Sequence, residues 1–294
     1  METGLVSTEE DGIAFRLSLT AGLGFEGSHF SESGIDSFGL PSTVPEYQHR
    51  VDVNVFNVLP EMSIPWDDDT SLEFGIPLRR INRTAFIVPP ADSSQAEQDS
   101  MQRHVDLHHP TGTFQGVGDL SFWARSRKPE NPWSWGLTLP TGAIEEDPYA
   151  LGEQNLAHEH IQFGTGTVVP RIQFIHGQED WIAFATLSAP FYSNRKGFTA
   201  PPELGLYWAR RNPLAENWTW SMGFSARVQG FGDWNGTRDI NSGYGALVAD
   251  GGLAWKSSAG NFVFGLTLPL AQKVWEESGD TFDLGPSLAV SFSP

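Results

Sequence analysis

The sequence contains no cysteine and few basic residues. Its 294 residues include 18 Lys and Arg against 36 Asp and Glu, which gives a formal net charge of −18. A chain without thiols is indifferent to the redox compartment and lacks most structural zinc patterns. An acidic chain also offers few of the Lys and Arg contacts that phosphates require. We therefore expect no nucleic-acid partner.

Long apolar runs are missing as well. No segment reaches the roughly 18 consecutive apolar residues of a membrane-spanning helix. This does not exclude a membrane, because a barrel strand needs only about 10 residues, half of them apolar. Residues 1–11 lack the basic region and apolar core of a signal peptide. We expect them to be a loose segment before a single domain, in a mature chain with an added Met or in a protein that is not exported.

Turn-forming and aromatic residues are abundant, with 31 Gly, 20 Pro, 20 Phe and 11 Trp. The stretch at 133–142, Trp-Ser-Trp-Gly-Leu-Thr-Leu-Pro-Thr-Gly, recurs at 262–271 as Phe-Val-Phe-Gly-Leu-Thr-Leu-Pro-Leu-Ala. Large apolar residues alternate there with small or polar ones, and a similar unit occupies 217–229. A period of two is that of a β-strand with one apolar face.

The same alternation runs through the whole chain and predicts twelve strands. They cover about 13–25, 47–59, 71–83, 114–126, 133–142, 158–175, 181–192, 203–211, 217–229, 243–256, 261–272 and 283–292. Links after even-numbered strands are short, whereas links after odd-numbered strands are long. An even number of strands, joined alternately by short and long links, is typical of a bacterial outer-membrane barrel. The predicted fold is all-β, a transmembrane antiparallel up-and-down β-barrel of about twelve strands.

Alternation alone also fits a soluble β-sandwich or repeat protein. A membrane barrel is favoured because large aromatics flank the short turns, as in an interfacial girdle. Polar side chains on the opposite face would then line the lumen, which in a twelve-stranded barrel is too wide for ordinary core packing. In the second strand, Val51, Val53 and Val55 fall on the apolar face, opposite Asp52. The expected lumen-lining residues are Arg16, Asp52, Glu73, Arg79, Asp119, Arg125, Arg171, Arg227 and Asp250.

Three Gly-rich blocks follow one another between the fourth and sixth strands. They are Gly-Val-Gly-Asp-Leu at 116–120, Leu-Thr-Leu-Pro-Thr-Gly at 137–142 and Phe-Gly-Thr-Gly at 163–166. In this order they resemble blocks of the outer-membrane proteins named for the meta-pathway of phenol degradation. Ile-Asp-Ser-Phe-Gly-Leu-Pro at 35–41 resembles a block of a related uncharacterised outer-membrane family. The resemblance implies a barrel of about twelve strands that passes small organic molecules, and it brings no catalytic residues.

Histidines concentrate in the long links. His104, His108, His109, His158 and His160, with Asp106 and Glu159 among them, offer ligands that suit Zn, Cu or Ni. Exposed loops also collect such residues without binding metal, so we predict no cofactor. The sequence has no Gly-x-Ser-x-Gly elbow, and Ser100 near His104 is the nearest approach to a hydrolase pair. We expect no enzyme activity.

Two functions remain open from the sequence. The first is a passive outer-membrane channel for small solutes, including hydrophobic or aromatic ones, surrounded by outer-membrane lipid and lipopolysaccharide. The alternative is a closed or plugged barrel that anchors a partner protein through the long links 27–46 and 84–112. An even strand number places both termini and the short turns on the periplasmic side, and the histidine-rich links outside.

The repeated strand unit gives a direct test of which face meets lipid. Replacement of Leu137 by Arg should lower the free energy of unfolding by about 2–4 kcal/mol if this position lies near the bilayer midplane. Thr138→Arg, on the opposite face, should be tolerated or should change only the conductance. Unfolding titrations in lipid vesicles measure both, and a larger cost at Thr138 would reverse the assignment of the faces.

Overall fold

The computed structural model describes residues 12–31, 47–128, 131–154, 156, 161–240, 242–275 and 281–294. The strands are β1 (Ala14–Ser31), β2 (Tyr47–Pro65), β3 (Thr70–Gly75), β4 (Leu78–Val88), β5 (Gly112–Val117), β6 (Leu120–Ser126), β7 (Trp133–Leu139), β8 (Val169–Gln178), β9 (Trp181–Ser188), β10 (Phe198–Thr199), β11 (Glu203–Ala215), β12 (Trp218–Gln229), β13 (Gly232–Trp234), β14 (Thr237–Asp239), β15 (Tyr244–Ser257), β16 (Gly260–Val274), β17 (Thr281–Asp283) and β18 (Ser287–Ser293). The helices are α1 (Gln95–His108) and α2 (Pro148–Glu153). Neither described helix is long and apolar enough to cross a membrane.

All of these strands except β10, β13 and β14 form one closed antiparallel barrel. Each crossing of the wall pairs with the next along the chain, and β18 pairs with β1 to close the ring, with Leu17 opposite Phe292. The described chain makes twelve crossings, because β3 with β4, β5 with β6 and β17 with β18 each make one. The predicted twelve-stranded up-and-down barrel is therefore confirmed. Short turns occupy one end, which we call the lower end, and the long links occupy the upper end.

The third and fourth crossings are broken at neighbouring points. The predicted continuous strand 71–83 is interrupted at Ile76 and Pro77, since proline has no backbone N–H to donate to the ladder. The fourth crossing breaks at Gly118 and Asp119, and the Gly118 N–H donates to the Pro77 carbonyl at 2.7 Å. Both breaks thus lie side by side in the wall.

The long links contain structure that alternation did not predict. Helix α1 begins at a capping box in which Ser94 and Glu97 bond each other's backbone N–H groups. The Ser94 hydroxyl also donates to the Glu97 carboxylate, which lowers the pKa of that carboxyl. The sixth crossing begins at Val169 and not near residue 158 as predicted. Strands β10, β13 and β14 make a small separate sheet within the upper links.

Aromatic rings line the outer wall near the lower end. Trp218, Trp255, Phe262 and Phe292 form a continuous row across four crossings, with successive ring centroids 5.6, 5.4 and 4.7 Å apart. Above this row the outward side chains are aliphatic or aromatic and exposed, as at Leu266. The outer surface of the lower barrel is therefore apolar, which suits a lipid environment.

The two faces of the wall exchange character in the upper part of the first four crossings. Along β2 the outward residues are apolar up to Phe56, but Asn54, Asp52 and Arg50 follow on the same face. Inward residues change in the opposite sense, since Val55, Val53 and Val51 line an internal cavity. We call this region, residues 25–28, 47–55, 80–88 and 112–116, the upper wall.

Asp52 therefore does not line the lumen, and this prediction is wrong. It is exposed and lies opposite Glu26 and Thr84, on the outward face. The alternation predicts a polar inner face and an apolar outer face along the whole length of each strand. In the upper wall that arrangement is reversed, as in a soluble barrel, where apolar side chains point inward.

Helix α1 explains why the interior of the upper wall is apolar. Met101 and Val105 are 1% and 0% exposed and pack with Tyr47, Val51 and Ala85 of β2 and β4. Such burial stabilises by roughly 1.5–3 kcal/mol for each large side chain. The helix is thus held against the inside of the wall by an ordinary hydrophobic core.

The reversal predicts a change in chemical accessibility along β2. In protein reconstituted in vesicles, Asp52→Cys should react quickly with a water-soluble maleimide, because its side chain faces water. Phe56→Cys, two outward positions lower, should stay unreactive because its side chain faces lipid. Mass spectrometry after timed labelling measures both. Equal protection of the two thiols would show that the upper wall is immersed in the membrane.

Candidate functional site

The other predicted lumen residues lie on the inward face of the barrel. Their register places them opposite the exposed apolar side chains of the outer wall. The set is Arg16, Glu73, Arg79, Asp119, Arg125, Arg171, Arg227 and Asp250. They are spread over several levels of the lumen, so they do not form one compact site.

Near the lower end, ion pairs cross-link neighbouring strands from the inside. Arg125 of β6 donates to Glu73 of β3 and to Gln173 of β8. The Gln173 amide in turn donates a hydrogen bond to the Thr186 hydroxyl of β9 at 2.8 Å, which extends the network to a fourth strand. Because these groups are shielded from lipid, their bonds hold the inner wall together without exposing charge to the membrane.

A tryptophan that the alternation placed inward, but that was not singled out, completes this level. Trp123 is 3% exposed, and the guanidinium carbons of Arg125 and Arg171 each lie 4.7 Å from its ring centroid. A Cβ on Gly136 would lie 2.6 Å from that ring, so only glycine leaves room for it. Both guanidinium groups contact the Trp123 ring. Such cation–π contacts are more favourable when the charged groups are partly desolvated.

Asp119, at the break of the fourth crossing, ties an upper link to the wall. Its carboxylate accepts hydrogen bonds from the Gly142 N–H at 2.9 Å and from the N–H and hydroxyl of Thr165, both at 2.7 Å. Bonds to an ionised acceptor are about twice as strong as neutral ones. Asp119 is buried, so both ends of the link between β7 and β8 are fixed to one point.

The three Gly-rich sequence blocks meet at this point. The Phe163 ring lies against Gly116, where a Cβ would come within 2.6 Å of the ring. The Gly164 N–H donates to the carbonyl of Ala143 at 2.8 Å, directly beside Gly142. Blocks that are up to 46 residues apart in the chain thus form one cluster on the inner wall. We call residues 116–120, 141–143 and 163–165 the inner clasp.

The charged side chains at mid-height of the lumen differ in their hydrogen-bond and ion-pair partners. Asp250 accepts hydrogen bonds from Ser225 at 2.6 Å and from Thr267 at 2.9 Å. Arg227 forms an ion pair with Glu203. The Arg79 side chain forms neither a hydrogen bond nor an ion pair with the described residues, although it lies within electrostatic range of Asp119 and Arg227.

Above this level lies a cavity of 610 Å³, which we call the upper chamber. Its wall side consists mostly of apolar residues of β1, β2 and β4, and its other side comes from the links. The lining includes Phe25, Val51, Val53, Val55, Ile81, Phe198, Pro201 and Trp234, with His49, Arg83 and His109 among the polar members. The sequence had given no indication of it, because its wall residues were assigned to lipid.

The predicted histidine ligands do not come together in the described part of the chain. His109 lines the upper chamber, with its ring 4.9 Å from that of His49, whereas His104 packs edge-on against Tyr47. The described residues contain no group of three or more His, Asp or Glu that could hold a metal. His158 and His160 and the side chain of His108 lie outside them, so metal binding stays a prediction.

Comparison with known proteins gives a relationship of fold. No family model matches the chain, and no curated protein matches it. The COG4313 outer membrane channel from Pseudomonas putida F1 is similar in structure, with a TM-score of 0.58 and 16% identity over 100% of both chains. The toluene transporter TodX from Pseudomonas putida gives a TM-score of 0.44 and 8% identity over 97% of this chain and 90% of that chain. The first likeness supports the barrel fold, and the second is too distant to carry an argument.

The inner clasp predicts a large effect from one carboxylate. Asp119→Ala leaves two N–H groups and a hydroxyl without their acceptor, which should lower the free energy of unfolding by about 3 kcal/mol or more. Asp52→Ala, at an exposed outward position, should change it by less than about 0.5 kcal/mol. Urea titrations in vesicles give both values. If the two substitutions cost the same, Asp119 does not hold the link to the wall.

Proposed function

We propose that this protein is an outer-membrane channel through which small, largely apolar organic solutes pass without energy input. The observation that carries the proposal is the upper chamber. It is an apolar cavity inside a barrel whose remaining lumen is lined by ion pairs. Its 610 Å³ lies within the roughly 300–1,000 Å³ of sites that bind small molecules.

The chamber's surroundings favour a solute over a purely structural void. Apolar side chains of the wall face polar and aromatic groups of the links, including Trp234 and Gln162. An aromatic solute would be enclosed between Phe198 and Trp234, whose rings pack at 4.7 Å, and the valines of β2. A cavity that served packing alone would be smaller, because protein interiors are close-packed.

The outer surface supports a place in the outer membrane. An apolar band with a row of aromatic rings at its lower edge is the surface that outer-membrane barrels present to lipid. We infer that the short turns and both termini face the periplasm and that the upper wall rises into the lipopolysaccharide or above it. The polar outward residues Arg50, Asp52 and Arg80 suit that level.

A closed barrel that anchors a partner protein is the second candidate. One observation favours it, namely that α1, α2 and the small sheet all pack over the upper end. Buried clusters around Met101 and around Trp234 hold them there. Under this alternative the upper chamber would be a by-product of the plug, and solutes would neither enter it nor pass through it.

A substitution that fills the chamber separates these functions. Val53→Trp places an indole in the chamber, whereas Asp52→Trp places one on the outward face of the same strand. We expect wild type and Asp52→Trp to bind benzamide, a small neutral aromatic, in calorimetry and to conduct in planar bilayers, and Val53→Trp to lose binding. Heat-modifiable migration on gels confirms that each variant is folded. Absence of both binding and conductance in the folded wild type would favour the anchor.

A further inference from the structure

We propose that Arg79 is the point where the channel recognises the carboxylate of an organic acid whose apolar part occupies the upper chamber. This inference rests on the proposed function and names the solute class, namely small aromatic or short aliphatic carboxylic acids. It follows from the way charges are paired inside the barrel and from the place of Arg79 below the chamber.

The described inward carboxylates below the chamber have hydrogen-bond donors. Glu61 accepts from Arg16 at 2.6 Å, Glu73 from Arg125, and Glu203 from Arg227. Asp250 and Asp119 accept from hydroxyl and backbone N–H groups, as described above. These bonds leave little capacity in the described lumen for a carboxylate to neutralise a further cation.

Arg79 differs from the other inward arginines. Arg16, Arg125 and Arg227 each donate to a carboxylate, and Arg171 stacks on Trp123. The Arg79 side chain has no hydrogen bond or ion pair with any described residue, and it is only partly exposed. Its guanidinium is therefore available in a partly desolvated position, where an anion is bound more strongly than in bulk water.

A neighbouring amide is also incompletely engaged. Asn57 lies directly opposite Arg79 in the register of β2 and β4. Its side-chain oxygen is buried and has no hydrogen-bond partner among the described residues. Asn57 is therefore a polar side chain beside Arg79 whose amide oxygen is not bonded within the described barrel.

Arg79 lies at the right place to complement the chamber. Ile81 lines the chamber, and Arg79 is the next inward residue below it, about 7 Å along the strand. On the opposite side of the barrel, Gln229 lines the chamber and Arg227 is the next inward residue below it. A carboxylate at Arg79 would therefore sit beneath an apolar group in the chamber, across the lumen from the Arg227–Glu203 ion pair.

Arg83, which lines the chamber itself, is a weaker candidate. Its Nε and Nη2 both donate to the Pro110 carbonyl, at 3.0 and 2.7 Å, and its guanidinium stacks over Phe114 at 4.8 Å. These contacts fix the chain that follows α1 to the wall. Arg83 thus has a structural role that a solute would have to disrupt.

The chemistry predicts a preference between two solutes of the same shape. Benzoate and benzamide differ in that the first carries a carboxylate and the second a neutral amide. A guanidinium binds a carboxylate through two parallel N–H···O bonds and gains no comparable bond from an amide. We expect the folded wild type to bind benzoate roughly tenfold or more tightly than benzamide at pH 7.

The chain contains a matched control at the next position. Arg80 is exposed on the outward face, so Arg80→Gln removes the same charge without reaching the lumen. In calorimetry on the detergent-solubilised barrel, Arg79→Gln should reduce benzoate affinity roughly tenfold and leave benzamide affinity unchanged. Arg80→Gln should change neither. Retained benzamide binding shows that Arg79→Gln is folded with an intact chamber.

Each other result overturns the inference in a distinguishable way. If wild type binds both solutes equally, or if Arg79→Gln keeps the benzoate preference, Arg79 does not recognise the carboxylate, while the channel function stands. If benzoate affinity falls equally in Arg79→Gln and Arg80→Gln, the effect is one of net charge. If the folded wild type binds neither solute, the proposed function fails and this inference fails with it.

Discussion

The interior of this barrel depends on the hydrogen bonds that the Asp119 carboxylate accepts. A barrel of twelve strands is too wide for side chains alone to fill. The chain solves this by folding the link between β7 and β8 against the inner wall, and Asp119 fixes that link through Gly142 and Thr165. The broken third and fourth crossings make room for the contact, because proline and glycine interrupt the ladder where the link approaches.

The second organising feature is a change of solvent along the same strands. In the lower barrel the outside is apolar and the inside is cross-linked by ion pairs such as Arg125 with Glu73. In the upper wall most outward side chains are polar, with Phe86 and Val88 as apolar exceptions, and most inward side chains are apolar. The chain can therefore build a cavity for an apolar solute directly above a charged lumen, and Arg79 lies where the two environments meet.

Sequence alternation was enough to predict the twelve crossings, because a period of two marks each strand along the chain. The alternation predicted the wrong face for Asp52. Apolar and polar residues alternate in the upper wall as they do in the lower barrel, and only the face that carries the apolar residues changes. The capping box at Ser94 and Glu97 is a local sequence signal for α1 that strand alternation does not contain. The inner clasp joins residues far apart in the chain, and no local pattern encodes that pairing.

The central claim is that the apolar part of a solute occupies the upper chamber. A crystal structure of the protein with para-bromobenzoate tests it most directly, because anomalous scattering locates bromine independently of the rest of the density. We predict the bromine among Val51, Val53 and Phe198, with the carboxylate directed toward Arg79. Bromine found only on the outer surface, with the chamber empty at saturating ligand, would contradict the account.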